Sequence, residues 1–221
     1  MPAPILFIGN KNYSSWSMRP WLALKWGGIA FEERIIPLGG EGYGRSQIKQ
    51  VRDVSPSGRV PVLHVDGAII HESLAICEWA AEQAPTLWPA DALRRAQARS
   101  VASEMHAGFA ALRRDMSMNV RRRMKAAPAW PEDTRTDLEQ LFELWEQTLR
   151  RSGGPFLFGV RSIADAMFAP VCTRLRTYAV VAPLAAQKYC ATLFADAAFL
   201  EWERAAEAET WTIEQTEALY R

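Results

Sequence analysis

The sequence predicts a two-domain chain. An α/β domain of order βαβαββα, with a mixed four-stranded sheet, covers residues 1–83; a linker at 84–92 leads to an all-α domain over 93–221. Three observations predict it. Strand-like and helix-like apolar runs alternate along the first 83 residues. Asp66-Gly67 lies between two short alternating apolar runs, the strongest short-range signal for a hairpin. Beyond Pro85 and Pro89 the chain reads almost wholly as helix.

Each element follows from its residues. Residues 4–9, around Ile5-Leu6-Phe7-Ile8, form the continuous apolar run of a central parallel strand. A polar loop at 10–13 precedes a helix from Ser15 to Trp26, ended by Gly27-Gly28. Residues 31–36 are a second strand, closed by Pro37. Residues 39–57 are polar and rich in glycine, with one short helix near 46–51. The hairpin strands are 60–65 and 68–71. The first opens on Val60-Pro61, where a cis peptide accounts for a proline that cannot donate to the ladder. Glu72-Ser73 then starts a helix to about 83, with Leu74, Ile76, Cys77, Trp79 and Ala80 apolar. A strand–helix–strand unit requires a parallel pair with a right-handed crossover, and the hairpin adds an antiparallel one.

In the second domain, 93–125 reads as one long helix broken only by Gly108. A proline-flanked break at 126–131 follows. Residues 132–151 carry Leu138, Leu141, Phe142, Trp145 and Leu149 at helical spacing. Gly153-Gly154-Pro155 ends that helix, and two or three shorter ones follow with a boundary at Pro183. Ser162 and Asp165 form a capping box with Asp at N3, a folding signal rather than a chemical one. The run Arg121-Arg122-Arg123-Met124-Lys125 reads as a solvated helix end, favoured by the helix dipole, and not as a nucleic-acid site.

Composition bounds the function. The chain has 221 residues, 49% hydrophobic and 23% charged, as expected of a globular protein with a sizeable core. A net charge of +1 gives no bulk attraction to nucleic acid or membrane. No apolar run approaches the roughly 18 residues of a membrane span. The N-terminal stretch lacks the basic region of a signal peptide. Three scattered cysteines, Cys77, Cys172 and Cys190, show no metal-like spacing and fit a reducing cytoplasm. Most of the nine tryptophans, Trp79 and Trp145 among them, fall in helical patterns and read as core.

The stretch from Ser55 to Ser73, with Val60-Pro61-Val62-Leu63, a turn and then Glu72-Ser73 opening a helix, resembles the second half of the thioredoxin-like domain of the cytosolic glutathione S-transferases. The domain order extends the resemblance over essentially the whole chain. It implies that Val60, before Pro61, pairs its backbone with the cysteinyl part of glutathione, and that Glu72 and Ser73 hold the γ-glutamyl end. It assigns the glycyl carboxylate to a polar or basic residue ahead of Val60: Gln47, Lys49 or Arg59.

The turn between the first strand and the first helix carries the chemistry. A helix N-terminus offers free N–H groups and a positive dipole end, which lower the pKa of a thiol placed there. Serines, Ser14 and Ser17, stand where a redox Cys-x-x-Cys would lie. The local pattern Ser14…Arg19…Ala23-Leu24 resembles the serine-type zeta and tau classes, which puts the catalytic hydroxyl at Ser14, with Ser15 the main alternative and Tyr13 a weaker one. Trp16 stands where zeta enzymes have a cysteine, and Pro20-Trp21 replaces Val-Arg. Arg19 is expected to brace the fold through an internal ion pair. Arg174 and Arg176 lie near the position at which zeta enzymes keep an arginine for a substrate carboxylate.

The resemblance thus implies glutathione as co-substrate, with no metal, and thiolate attack on a small hydrophobic electrophile. The electrophile would sit between the domains against Trp16, Met105, His106, Phe109, Arg113 and Met116; Trp21 reads as core. The expected protein is a cytoplasmic homodimer without a nucleic-acid or membrane partner. Alternatives are a glutathione-dependent isomerase of the maleylacetoacetate or maleylpyruvate type, a peroxidase, and a non-catalytic ligand-binding protein.

Overall fold

The computed structural model describes residues 3–219. Four strands, β1 (Ile5–Ile8), β2 (Glu32–Ile35), β3 (Val62–Val65) and β4 (Ala68–His71), form one sheet in the order β2-β1-β3-β4. β1 and β2 run parallel, with Ile5 opposite Glu32, while β1–β3 and β3–β4 are antiparallel. This is the mixed sheet expected. Asp66 and Gly67 have φ of 48° and 79°, the pair of positive values that a two-residue type I′ hairpin needs. The Val60-Pro61 bond is cis, and so is Gly154-Pro155.

Side chains alternate across the sheet, so each face has its own cover. Leu6, Ile8 and Leu63 point into the main core, against α1 (Ser15–Trp26) and α3 (Ser73–Gln83). Phe7 and Val62 point the other way and pack with Ile36 and Val51 of the short helix α2 (Lys49–Arg52). A 3-10 turn at Pro85–Leu87 leads into the second domain.

That domain contains α4 (Ala92–Ala107), α5 (Ala110–Asp115), α6 (Glu132–Ser152), α7 (Ile163–Thr177), α8 (Leu184–Phe194), α9 (Ala197–Ala208) and α10 (Glu214–Glu217). α7 is buried along nearly its whole length and packs against both α1 and α4. The capping box is present: Ser162 N–H donates to Asp165 Oδ2 at 2.9 Å. Asp165 also accepts from Leu157 N–H and the Tyr189 hydroxyl, so the cap is a hub between α7, α8 and the preceding loop. No helix among the described residues is long and apolar enough to cross a membrane.

The long helix expected over 93–125 does not form. α4 ends at Gly108, Phe109 takes φ 53°, α5 lasts six residues, and 116–131 is non-helical. Met116, Met118, Asn119 and Val120 are all buried in this non-helical segment. The basic run is therefore not a helix end. Arg121 donates to Glu209 O, Trp211 O and the Tyr13 hydroxyl, and Arg123 donates to Val120 O and pairs with Glu203. Among the described residues four helices, not two or three, follow Pro155.

Candidate functional site

The loop 10–14 between β1 and α1 is clamped from the helical domain at Lys11, Asn12 and Tyr13. Glu209 accepts from Lys11 N–H (2.6 Å) and Asn12 N–H (3.0 Å). Trp202 Nε1 donates to Lys11 O, and Val120 N–H donates to Asn12 O. The Asn12 side chain accepts from Arg121 N–H and donates to Asn119. Tyr13 donates its hydroxyl to Glu217 at 2.6 Å; burial first, and then that contact, raise the phenol pKa. Tyr13 is thereby committed to the C-terminal segment, away from thiol chemistry.

Two adjoining cavities open beside this loop. One, of about 380 Å³, is lined by Tyr13, Ser14, Ser15 and Trp16, by Leu38, Gly42, Tyr43, Gly44, Ser46 and Ile48 of the β2–α2 segment, and by Val51, Gly58, Arg59 and Val60. The other, of about 310 Å³, is lined by Trp16, Ser57, Arg59, Val60, Pro61, Glu72, Ser73, His106 and Arg113. Trp16, Arg59 and Val60 line both, so the two are halves of one cleft. Each half lies in the size range of small-molecule sites.

Two buried polar atoms of the second half lack protein partners among the described residues. Ser73, the first residue of α3, is 1% exposed, and its Oγ has no hydrogen-bond partner. His106 Nδ1 is likewise buried and unpartnered. A helix N-terminus with an orphaned hydroxyl fits an anionic or strongly polar ligand group. Glu72 beside it has φ 74° and ψ 128°, a conformation that costs of order 1–3 kcal/mol and clusters at ligand clamps. His106 Nε2 lies 3.8 Å from the Glu72 carboxylate. Burial first, and then the charge of Arg19, push the His106 pKa below its usual range, so the ring is neutral at pH 7.

A cationic cluster surrounds Trp16. The Arg19 guanidinium carbon lies 4.1 Å from the ring centroid and that of Arg113 5.4 Å, while His106 meets the ring edge-on. Arg19 is fully buried, donates from Nε to Met167 O, and has no partner for Nη1 or Nη2. It makes no ion pair among the described residues, contrary to expectation. Burial, with Arg174 and Arg113 nearby, drives its pKa well down. Arg174 of α7 donates from Nε to Met116 O and from Nη2 to Ser15 Oγ.

Two domain models match the sequence: the glutathione S-transferase N-terminal domain over residues 13–83 and the glutathione S-transferase C-terminal domain over 128–203. Rat maleylacetoacetate isomerase is 30% identical over 171 residues, 76% of each chain. The chain belongs to the glutathione S-transferase family. A probable maleylacetoacetate isomerase of Caenorhabditis elegans is 34% identical over 108 residues, and the match spans about half, 48%, of that relative's length. A glutathione transferase homologue from Burkholderia, solved with bound glutathione, shares the fold at TM-score 0.72 and 24% identity, over 94% of this chain and 100% of that one. The tau-class transferase of mango superposes at TM-score 0.68 and 21% identity, over 93% and 96%.

On this transferase fold Ser14, Ser15, Arg59, Val60, Pro61, Glu72, Ser73, Trp16, His106 and Arg113 all line the cleft. The others do not. Lys49 is exposed and paired with Asp53 one helical turn on. Gln47 is not among the cleft's lining residues. Met105 and Met116 are fully buried, and Phe109 packs edge-on against Phe168 in the core. Arg176 is held by Glu203 and stacks on Phe194. Met105 sits on α4, which packs along α7, and it is spent on the core rather than on the cleft. Trp21 is core, against Phe31 and Trp202. Sequence reasoning missed Leu38, Tyr43 and Ser46. Their signal was the glycine run ahead of α2: Gly42 has φ 82°, and a Cβ there would meet Gln47 backbone at 2.7 Å.

Proposed function

We propose that this chain is a serine-type glutathione transferase that binds the tripeptide along the cleft and ionises its thiol for attack on a small electrophile. The observation that carries the reading is the continuity of the cleft from the Ser14–Ser15 turn, past Val60, to the unpartnered Ser73 at the start of α3. A γ-glutamyl carboxylate at the α3 N-terminus would take its N–H groups and the Ser73 hydroxyl. The backbone of Val60 is left for the cysteinyl unit, and Arg59 at the rim for the glycyl carboxylate. The thiol then reaches a serine hydroxyl at the N-terminus of α1. A free thiol of pKa about 8.5 is only a few per cent ionised at pH 7. A hydroxyl hydrogen bond and the buried cations favour the thiolate, and the cleft holds it in place for attack.

Absorbance of the bound thiolate, titrated against pH, tests this directly. A bound-thiol pKa well below the free value supports the transferase. Binding without a shift would leave a ligand-binding protein, and no binding would refute the reading.

The unpartnered guanidinium nitrogens of Arg19 and Arg174 favour a second reading, a glutathione-dependent isomerase acting on a carboxylate-bearing substrate, the activity named for the rat relative. Trp16 in place of a cysteine sets the chain apart from that class. Turnover of maleylacetoacetate in the presence of glutathione decides between them. The reading also carries a cytoplasmic homodimer, for which the exposed Ile69 and Leu93 offer apolar surface, and sedimentation of the pure protein tests that state.

A further inference from the structure

We infer that Ser15, rather than Ser14, is the hydroxyl that donates to the bound thiol, and that Arg174 of the helical domain is the residue that positions it. The inference rests on the transferase reading above and deepens it. The two serines are equally buried, each 7% exposed, and both line the same cavity. Their hydrogen bonds differ. Ser14 Oγ donates to Ser17 Oγ at 2.7 Å, and Ser17 Oγ also accepts from Gly9 N–H. The Ser14 proton is therefore committed inside the protein, and using it on a ligand means breaking a short bond. Ser15 is the reverse case. Its Oγ accepts from Arg174 Nη2 at 3.0 Å, in a buried contact between residues 159 positions apart. No protein acceptor among the described residues takes the Ser15 proton, which is left for a ligand in the cavity.

Arg174 is itself built for the task. Its Nε donates to Met116 O at 2.7 Å, which fixes the plane of the guanidinium, and its Nη1 is unpartnered. The side chain is 3% exposed. A buried cation donating to a hydroxyl draws electron density from it and makes it a stronger donor in turn. Arg174 faces Arg19 from α1, Arg113 from α5 and Tyr178 just past α7; beyond them, Cys77 of α3 faces Arg19, and His106 of α4 faces Arg19, Arg113 and the exposed Glu72. Burial pushes the Arg174 pKa down to about 10, with Tyr178 opposing and Arg113 adding to the fall, so the group stays cationic through neutral pH. His106, pushed down by burial, is neutral there. The balance around Ser15 is thus positive, which favours thiolate over thiol.

The experiment is a pH titration of bound-thiolate absorbance in the full chain, with calorimetric glutathione affinity and melting temperature measured on the same samples. The variants are Ser14→Ala, Ser15→Ala, Arg174→Met, Arg174→Lys and the Ser15→Ala/Arg174→Met double. Ser15→Ala is expected to cut the ionised fraction at pH 7 roughly tenfold, the scale of one lost hydrogen bond to a charged group. Arg174→Met is expected to match it, the double to lose no more than either single, and Arg174→Lys to recover most of the shift. Ser14→Ala is expected to move the thiol pKa less than Ser15→Ala. The reverse order of the two serines overturns the assignment. An Arg174→Met that lowers the melting temperature without moving the thiol pKa overturns the positioning role, as do fully additive losses in the double. Should Arg174→Met fail to fold, Arg174→Lys and the two serine variants still decide. A wild type that binds glutathione with an unshifted thiol pKa refutes this proposal and leaves binding standing, whereas a wild type that binds none refutes the functional reading and this proposal together.

Discussion

Ser73 has a buried hydroxyl that no protein group satisfies. Leaving such a group unpaired costs about 1–3 kcal/mol, a cost relieved when a ligand pairs with it. Ser73→Ala should therefore weaken glutathione binding roughly tenfold while leaving the melting temperature of the free protein unchanged or slightly raised. Calorimetry and thermal melts on the same variant check both halves, and a large loss of stability in the free protein would show that Ser73 serves the fold instead. The two unpartnered guanidinium nitrogens of Arg19 make the same point with a charge. Nothing in the local sequence distinguishes Arg19 from a structural arginine. Its lack of a carboxylate appears only when α1, α4, α5 and α7 are assembled around Trp16.

At the scale of elements, two devices hold the active loop and the buried helix. The segment 209–217 crosses from α9 back to the first domain, where Glu209 pairs the Lys11 and Asn12 amides and Glu217 takes the Tyr13 hydroxyl. A chain ending at Ala208 leaves those amides unpaired. It should exchange them with solvent faster and melt several degrees lower, at roughly 1 kcal/mol per lost bond; hydrogen exchange at residues 11–13 reads it, and unchanged protection would contradict it. The second device is the α7 cap. Burial pushes the Asp165 pKa up to about 6, against four donated hydrogen bonds that hold it lower. The folded state then binds this proton more tightly than the unfolded chain, whose carboxyl titrates near 4. Asp165 thus contributes stability that is greatest in acid, declines as pH rises from about 4 to 6, and is flat above. Urea midpoints over that range, compared with Asp165→Asn, should show the declining component in the wild type and not in the variant.

The whole molecule has one main core. Leu6, Ile8 and Leu63 of the sheet, Met18 and Leu22 of α1, and Met167, Phe168 and Val171 of α7 belong to the same buried cluster. Two domains that share a core unfold together. Far-ultraviolet circular dichroism and tryptophan fluorescence should report coincident urea transitions, and two separated transitions would show that the domains are independent. The clamped loop 10–14 belongs to this scale as well, because the helical domain sets the position of residues carried by the α/β domain.

Much of this was legible in the sequence because it is local. Asp66-Gly67 demands a tight hairpin, Ser162 and Asp165 write a helix start, and Val60-Pro61 and Glu72-Ser73 mark the turns that line the cleft through backbone geometry that neighbouring residues impose. The non-helical course of 116–131 was not legible, since Asn119 and Arg121 hold it by bonds to residues far along the chain. The pocket walls on α4 were misjudged for a related reason: helical spacing says that one face is apolar, not which neighbour covers it. The sequence by itself determined the element order of the α/β domain, the hairpin and the residue types at the cleft. Only the tertiary structure decided which serine keeps a free proton and which arginines stand without a carboxylate, because both depend on partners that the fold brings from more than a hundred residues away.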